Sequence, residues 1–144
     1  TVSISGGPTA TFFDNNSIVT VTGGQLIVAA GGPDFGSYSI AGGATLTMVG
    51  DVSAGRQLGG SPAITGAGTL AVNSPNAIVV SGSQTHTGPV EVLQGALVYQ
   101  TGSTVTLGSL LLRTGAALRG TDSFDLEGGG TWTGGTLGTD SPGT

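Results

Sequence analysis

Gly66-Ala67-Gly68-Thr69-Leu70-Ala71-Val72 sets a glycine pair or near-pair before a short run of alternating apolar residues, and the same phrase returns along the whole chain. It recurs as Gly23-Gly24-Gln25-Leu26-Ile27-Val28, Gly42-Gly43-Ala44-Thr45-Leu46, Gly95-Ala96-Leu97-Val98, Gly115-Ala116-Ala117-Leu118 and Gly134-Gly135-Thr136-Leu137. With the leucines as register marks (Leu26, Leu46, Leu70, Leu97, Leu118 and Leu137), the steps are 20, 24, 27, 21 and 19 residues. Repeats of this length are units too small to bury their own apolar face. Stacking buries it, so the fold grows by adding coils to a shared core.

Between the glycines the sequence has period two. Val19 and Val21 alternate with Thr20 and Thr22, Val90 and Val92 with Glu91, Val105 and Leu107 with Thr104 and Thr106, and Phe124 and Leu126 with Asp125 and Glu127. This is the pattern of strands with one dry and one wet side. No window sustains a 3.6-residue period, and glycine interrupts almost every stretch long enough for a helix. An antiparallel sandwich would call for hairpin dipeptides, and the chain has neither Asn-Gly nor Asp-Gly. The reading is an all-β, single-domain parallel β-helix, a β-solenoid of about seven coils over residues 1–144. Pro8 to Asn16 and Gly31 to Tyr38 are the least repetitive segments; Phe12, Phe13, Phe35 and Tyr38 gather there, as at an edge cap, a bulged loop or a contact surface, against a default of aromatic packing under a loop.

Composition excludes several classes of function. Charged residues are 8% of the chain and the net charge is −5, with three arginines and no lysine, so there is no cationic surface for nucleic acid. Cysteine is absent, which removes disulfides, thiolate metal sites and thiol catalysis. The longest apolar run, Leu26 to Ala30, is far too short to enter a bilayer as a spanning helix. The chain opens at Thr1 and closes on Ser141-Pro142-Gly143-Thr144, and it reads as a piece excised or processed from a longer secreted protein.

Ser81-Gly82-Ser83-Gln84-Thr85-His86-Thr87-Gly88-Pro89-Val90-Glu91-Val92-Leu93-Gln94-Gly95-Ala96-Leu97-Val98 resembles the passenger-associated repeat of autotransporter adhesins, departing from it at Gln84, His86, Pro89, Val90 and Ala96. Gly129-Gly130-Thr131-Trp132-Thr133-Gly134-Gly135-Thr136-Leu137 is similar to phrases of very large bacterial surface proteins with β-helical stalks. The resemblance implies a parallel β-helix of bacterial origin, displayed on the cell surface or released outside the cell. It brings no catalytic residues with it.

Candidate chemistry is thin. His86, the one histidine, can form neither a triad nor a metal cluster by itself and reads as a packing or hydrogen-bonding residue. Asp122, Asp125 and Glu127 offer oxygen ligands to calcium, as does the Asp14-Asn15-Asn16 corner, against a default of solvated turn carboxylates. β-Helical polysaccharide lyases and hydrolases use grouped carboxylates with a basic residue; here Arg56, Arg113 and Arg119 are scattered, so the chain is read as non-enzymatic and cofactor-free.

Thr-x-Thr triplets suggest an outward ligand face for glycans or ice: Thr20/Thr22, Thr45/Thr47, Thr104/Thr106 and Thr131/Thr133, with Thr9/Thr11 and Thr85/Thr87 as further pairs. Strand propensity and alternation alone also produce such pairs. Trp132, Tyr38 and Tyr99 are the aromatic candidates for stacking sugars. The leading expectation is a structural stalk or passenger segment whose partners are neighbouring repeats of its parent. The chief alternative is a filament or sheath subunit, its copies stacked end to end through their unpaired end strands.

Overall fold

A computed structural model describes residues 1–5, 13–50 and 55–139. Among these residues there is no helix; every strand pairing is parallel, and the strands stack into a three-faced solenoid. The first face holds Val2–Ser5, Gln25–Ala29, Thr45–Met48, Thr69–Asn73, Pro89–Gln94, Ser109–Leu112 and Gly130–Trp132. The second face holds Gly32–Asp34, Arg56–Leu58, Ile78–Val80, Ala96–Tyr99, Ala117–Gly120 and Thr136–Thr139. The third begins as Ile18–Val21, Ser37–Ile40, Ile64–Gly66 and Gln84–His86, and two further strands, Val105–Leu107 and Phe124–Leu126, pair with each other but not with Gln84–His86. The stack makes about six turns, close to the seven expected.

Alternation places one side chain in two on the axis. On the first face Leu26, Leu46, Leu70, Val90 and Leu110 form one inward column, and Val28, Met48, Val72, Val92 and Leu112 the next. One apolar cluster runs from Val21 to Leu118 without interruption. Each wholly buried aliphatic side chain in it contributes about 1.5–3 kcal/mol of transfer free energy, and single coils, having no core of their own, gain it only by stacking.

The leucine register needs one correction. Leu26, Leu46 and Leu70 belong to the first face, whereas Leu97, Leu118 and Leu137 form a column on the second. The partner of Leu70 is Val90, 20 residues on, and the 27-residue step to Leu97 is a change of face.

Glycine marks the coil more faithfully than leucine does. Gly68, Gly88, Gly108 and Gly128 recur every 20 residues along the corner between the third and first faces. A Cβ on Gly88 or Gly128 would run into the carbonyl oxygen of the glycine one coil below, and on Gly108 into that of Thr87. Close backbone approach, rather than an unusual φ, fixes these residues as glycine.

Candidate functional site

The densest group of polar chemistry lies inside the rod near its N-terminal end. Arg56 shares inward parity with Leu58, and the 24-residue register to Gly32 sets it one coil above Asp34. Both side chains are buried, and Arg56 is 2% exposed. Its Nε and Nη2 donate to the two oxygens of Asp34, Nη1 to the carbonyls of Ala30 (2.8 Å) and Gly31 (3.2 Å), and Nη2 also to the carbonyl of Phe13 (2.6 Å). Asp34 accepts further bonds from the Tyr38 hydroxyl (3.0 Å) and the Asn15 N–H (3.1 Å), while the guanidinium sits 5.3 Å from the centre of the Phe13 ring. Burial pushes the Asp34 carboxyl upward against the pull of Arg56. Burial also works to lower Arg56, but the bond and charge of Asp34 more than offset this, and the guanidinium is held above its ordinary value. The forked geometry makes the group an ion pair, with every guanidinium N–H committed and none left to bind or polarise a substrate.

Sequence reasoning passed over this cluster, counting Arg56 as one of three scattered arginines and Gly31 to Tyr38 as a cap, bulged loop or contact surface, where the structure has the strands Gly32–Asp34 and Ser37–Ile40. The legible signal was parity: Arg56 stands two residues before Leu58 on a strand whose alternate residues face the axis. Of the four gathered aromatics, Tyr38 is buried, Phe13 partly buried and Phe35 70% exposed, while Phe12 lies outside the described residues.

The calcium candidates do not converge. Asp122 is buried at the corner after the second face, where it ties its coil to the one below: the Thr101 N–H (2.6 Å) and hydroxyl (2.8 Å) donate to Oδ2 and the Gly102 N–H (2.9 Å) to Oδ1. Burial would raise its pKa, but these donors outweigh it and hold the carboxyl below its usual value. Asp125 is exposed on the outer side of the third face, and Glu127 is exposed beside a shallow groove lined by Gln84, Thr85, His86, Thr87, Thr104 and Thr106. Asn15 is buried and bonds to Ser37 and Ser17. Among the described residues no three acidic or histidine side chains group as a metal site would require.

The threonines sort onto different faces. Thr45, Thr47 and Thr131 lie on the outer side of the first face, with Thr133 just beyond it. Thr47 is buried and accepts a bond from Gln25 (3.0 Å). Thr20 lies on the third face with Thr22 following it; Thr104 precedes that face and Thr106 stands in register with Asp125. A hydroxyl row does exist, but its members are Thr20, Ser39, Thr65 and Thr85, in register over four coils. Ser39 and Thr65 fall outside every Thr-x-Thr triplet, so triplet counting could not find it. Tyr38 and Tyr99 are wholly buried and present no platform to a sugar, whereas Trp132 is 59% exposed.

His86 is a core residue. Its Nε2–H donates to the Gly68 carbonyl at 2.8 Å, which fixes the tautomer because a carbonyl only accepts, and Nδ1 is buried without a partner. Burial keeps its pKa below the ordinary 6.5, with the Gly68 bond partly opposing. The folded chain therefore refuses a proton that the unfolded chain takes up near pH 6.5, and stability falls as pH drops through that value. With a single histidine in the chain this loss is separable: urea titrations at pH 7, 6 and 5 should show up to about 1.4 kcal/mol lost per pH unit, and His86→Gln should remove that component of the slope. Equal slopes for the two proteins would contradict a buried neutral ring.

No family model, curated protein or solved structure matches the chain.

Proposed function

We propose that this chain is a non-enzymatic structural section of a bacterial extracellular or cell-surface protein, a β-solenoid stalk or passenger that spaces and projects what it is joined to. The observation that carries the reading is where the reactive side chains go. Arg56, Asp34, Asp122 and His86 are spent on bonds within and between coils, while an unbroken apolar column runs along the axis. Burial in the stack hides Arg56 from proteases, and the remaining arginines, Arg113 and Arg119, are the only other trypsin sites. The bacterial and surface assignments draw on the passenger-repeat resemblance of residues 81–98.

The test joins durability to inactivity. Native chain treated with trypsin should keep the Arg56–Gln57 bond intact while denatured chain is cut there. Incubation with acidic and neutral polysaccharides should release no reducing ends or unsaturated products above buffer. Catalysed release that disappears on replacing Asp125 or Glu127 would overturn the structural reading in favour of an enzyme.

A further inference from the structure

The third face is broken partway along the rod. Among the described residues the first and second faces are continuous ladders, but Gln84–His86 pairs only with Ile64–Gly66 below it and Val105–Leu107 only with Phe124–Leu126 above. The preceding corner accounts for the break. Residues 81–83 and 121–123 turn it in three residues, whereas 100–104 takes five. Asp122 then fastens the longer turn to the coil above, through the N–H groups of Thr101 and Gly102. Val105–Leu107 is thereby drawn to one neighbour and away from the other.

The break leaves a groove of about 320 Å³ between the two strands, against the roughly 30 Å³ that one water occupies. Two acceptors in its lining are buried and have no partner. His86, 2% exposed, commits Nε2–H to the Gly68 carbonyl at 2.8 Å, so Nδ1 keeps a free lone pair, and Oε1 of Gln84 is likewise unbonded. Buried acceptors are normally given a donor, and these two lie side by side in sequence parity on one strand end. The exposed Glu127 carboxylate adds a negative charge, the threonines of both coils add hydroxyls, and the lining holds neither lysine nor arginine.

We propose that this groove binds a primary ammonium group, carried by a small amine or by the lysine side chain of a partner. The inference goes beyond the structural reading above, since it gives the rod a recognition site on its flank. An ammonium brings three N–H donors and a positive charge, which suit Nδ1 of His86, Oε1 of Gln84 and the Glu127 carboxylate. Gln84 is only half-buried, so its side chain has rotamers with which to admit the group. An anion would meet Glu127 with no cation to oppose it. A divalent metal is served less well, because the lining offers one imidazole and one carboxylate and otherwise hydroxyls and an amide.

The chain has a single histidine, so its ring nitrogens report on the site without ambiguity. The experiment is nitrogen-15 NMR of the labelled 144-residue chain at neutral pH, titrated with butylammonium, with far-UV circular dichroism as the check on folding. Expected is a saturable shift of the Nδ1 resonance towards that of a hydrogen-bonded acceptor, with Nε2 little changed. Tetramethylammonium, a cation without N–H, and butanol, the same chain without charge, should produce no such shift. Putrescine and Nα-acetyl-lysine methylamide separate the two sources, the tighter of them naming the one the groove suits. Glu127→Gln should weaken binding several-fold, as should Gln84→Leu, a second variant should the first misfold, whereas Asp125→Asn on the same face should leave it unchanged. An Nδ1 resonance that no amine moves would overturn the proposal and mean that the groove holds solvent alone. Equal shifts with tetramethylammonium, or equal losses in Glu127→Gln and Asp125→Asn, would overturn it too, by reducing the effect to the general negative charge of the chain. None of these failures touches the stalk reading.

Discussion

Arg56→Ala is expected to destabilise the chain by about 3–5 kcal/mol, a large fraction of a typical total stability, because it strands the Asp34 carboxylate in a buried site without its counter-charge. The loss extends beyond the ion pair. Arg56 also satisfies the carbonyls of Phe13, Ala30 and Gly31, so one side chain on the third turn holds backbone from two preceding turns. Buried ion pairs can often be exchanged for apolar residues of similar volume at little cost. Here the exchange should fail: Arg56→Met with Asp34→Leu removes both charges but leaves those carbonyls, the Asn15 N–H and the Tyr38 hydroxyl short of partners, at about 1–3 kcal/mol for each group left buried and unsatisfied. Urea unfolding of wild type and both variants decides it. A double variant as stable as wild type would mean that the carbonyls find other donors and that the cluster is only a tolerated ion pair.

Gly108→Ala is the second large effect expected. Its new methyl group would meet the Thr87 carbonyl oxygen of the coil below, which is backbone and has no rotamer to change. The two turns must separate locally, lengthening hydrogen bonds and opening the core beneath Leu107 and Leu112, at about 3 kcal/mol or more, the upper range of overpacking costs. Gly23→Ala is the control. No atom lies within 4 Å of where its Cβ would stand and its φ is not in the left-handed region, so it should be neutral or raise stability by about 0.4–1 kcal/mol through the unfolded state. Comparing the two melting curves separates glycine needed for close approach from glycine that merely marks a turn; equal effects would show that the 20-residue glycine column does not set the coil spacing.

The fold was legible because its determinants are local and repeated. Val90-Glu91-Val92 states which residues face the axis, and the recurrence of such phrases states that units stack. Register was less legible, because an apolar column accepts Leu, Val or Met alike, so a leucine on one face imitates a leucine on the next. Gly68, Gly88, Gly108 and Gly128 carry the register more strictly, since steric exclusion by a carbonyl admits no substitute.

The polar groups divide along the same line. His86 as a packing or hydrogen-bonding ring was readable because one histidine makes neither a triad nor a metal cluster, whereas its bond to Gly68 depends on the coil below. Asp122 was read as a solvated turn carboxylate with calcium ligation as the alternative, because its acceptor capacity is visible in sequence while its donors, Thr101 and Gly102, lie one coil away. The hydroxyl row of Thr20, Ser39, Thr65 and Thr85 exists only through register.

By itself the sequence determined a strand-built, stacked, nearly uncharged rod, because alternation, glycine frequency and charge content act on each residue and its immediate neighbours. Tertiary structure alone decided that Arg56 meets Asp34 within the core, and that threonines of like spacing part onto different faces. Those outcomes depend on coil lengths of 19 to 26 residues that vary from turn to turn and from face to face. Such variation is fixed only when the backbones pair.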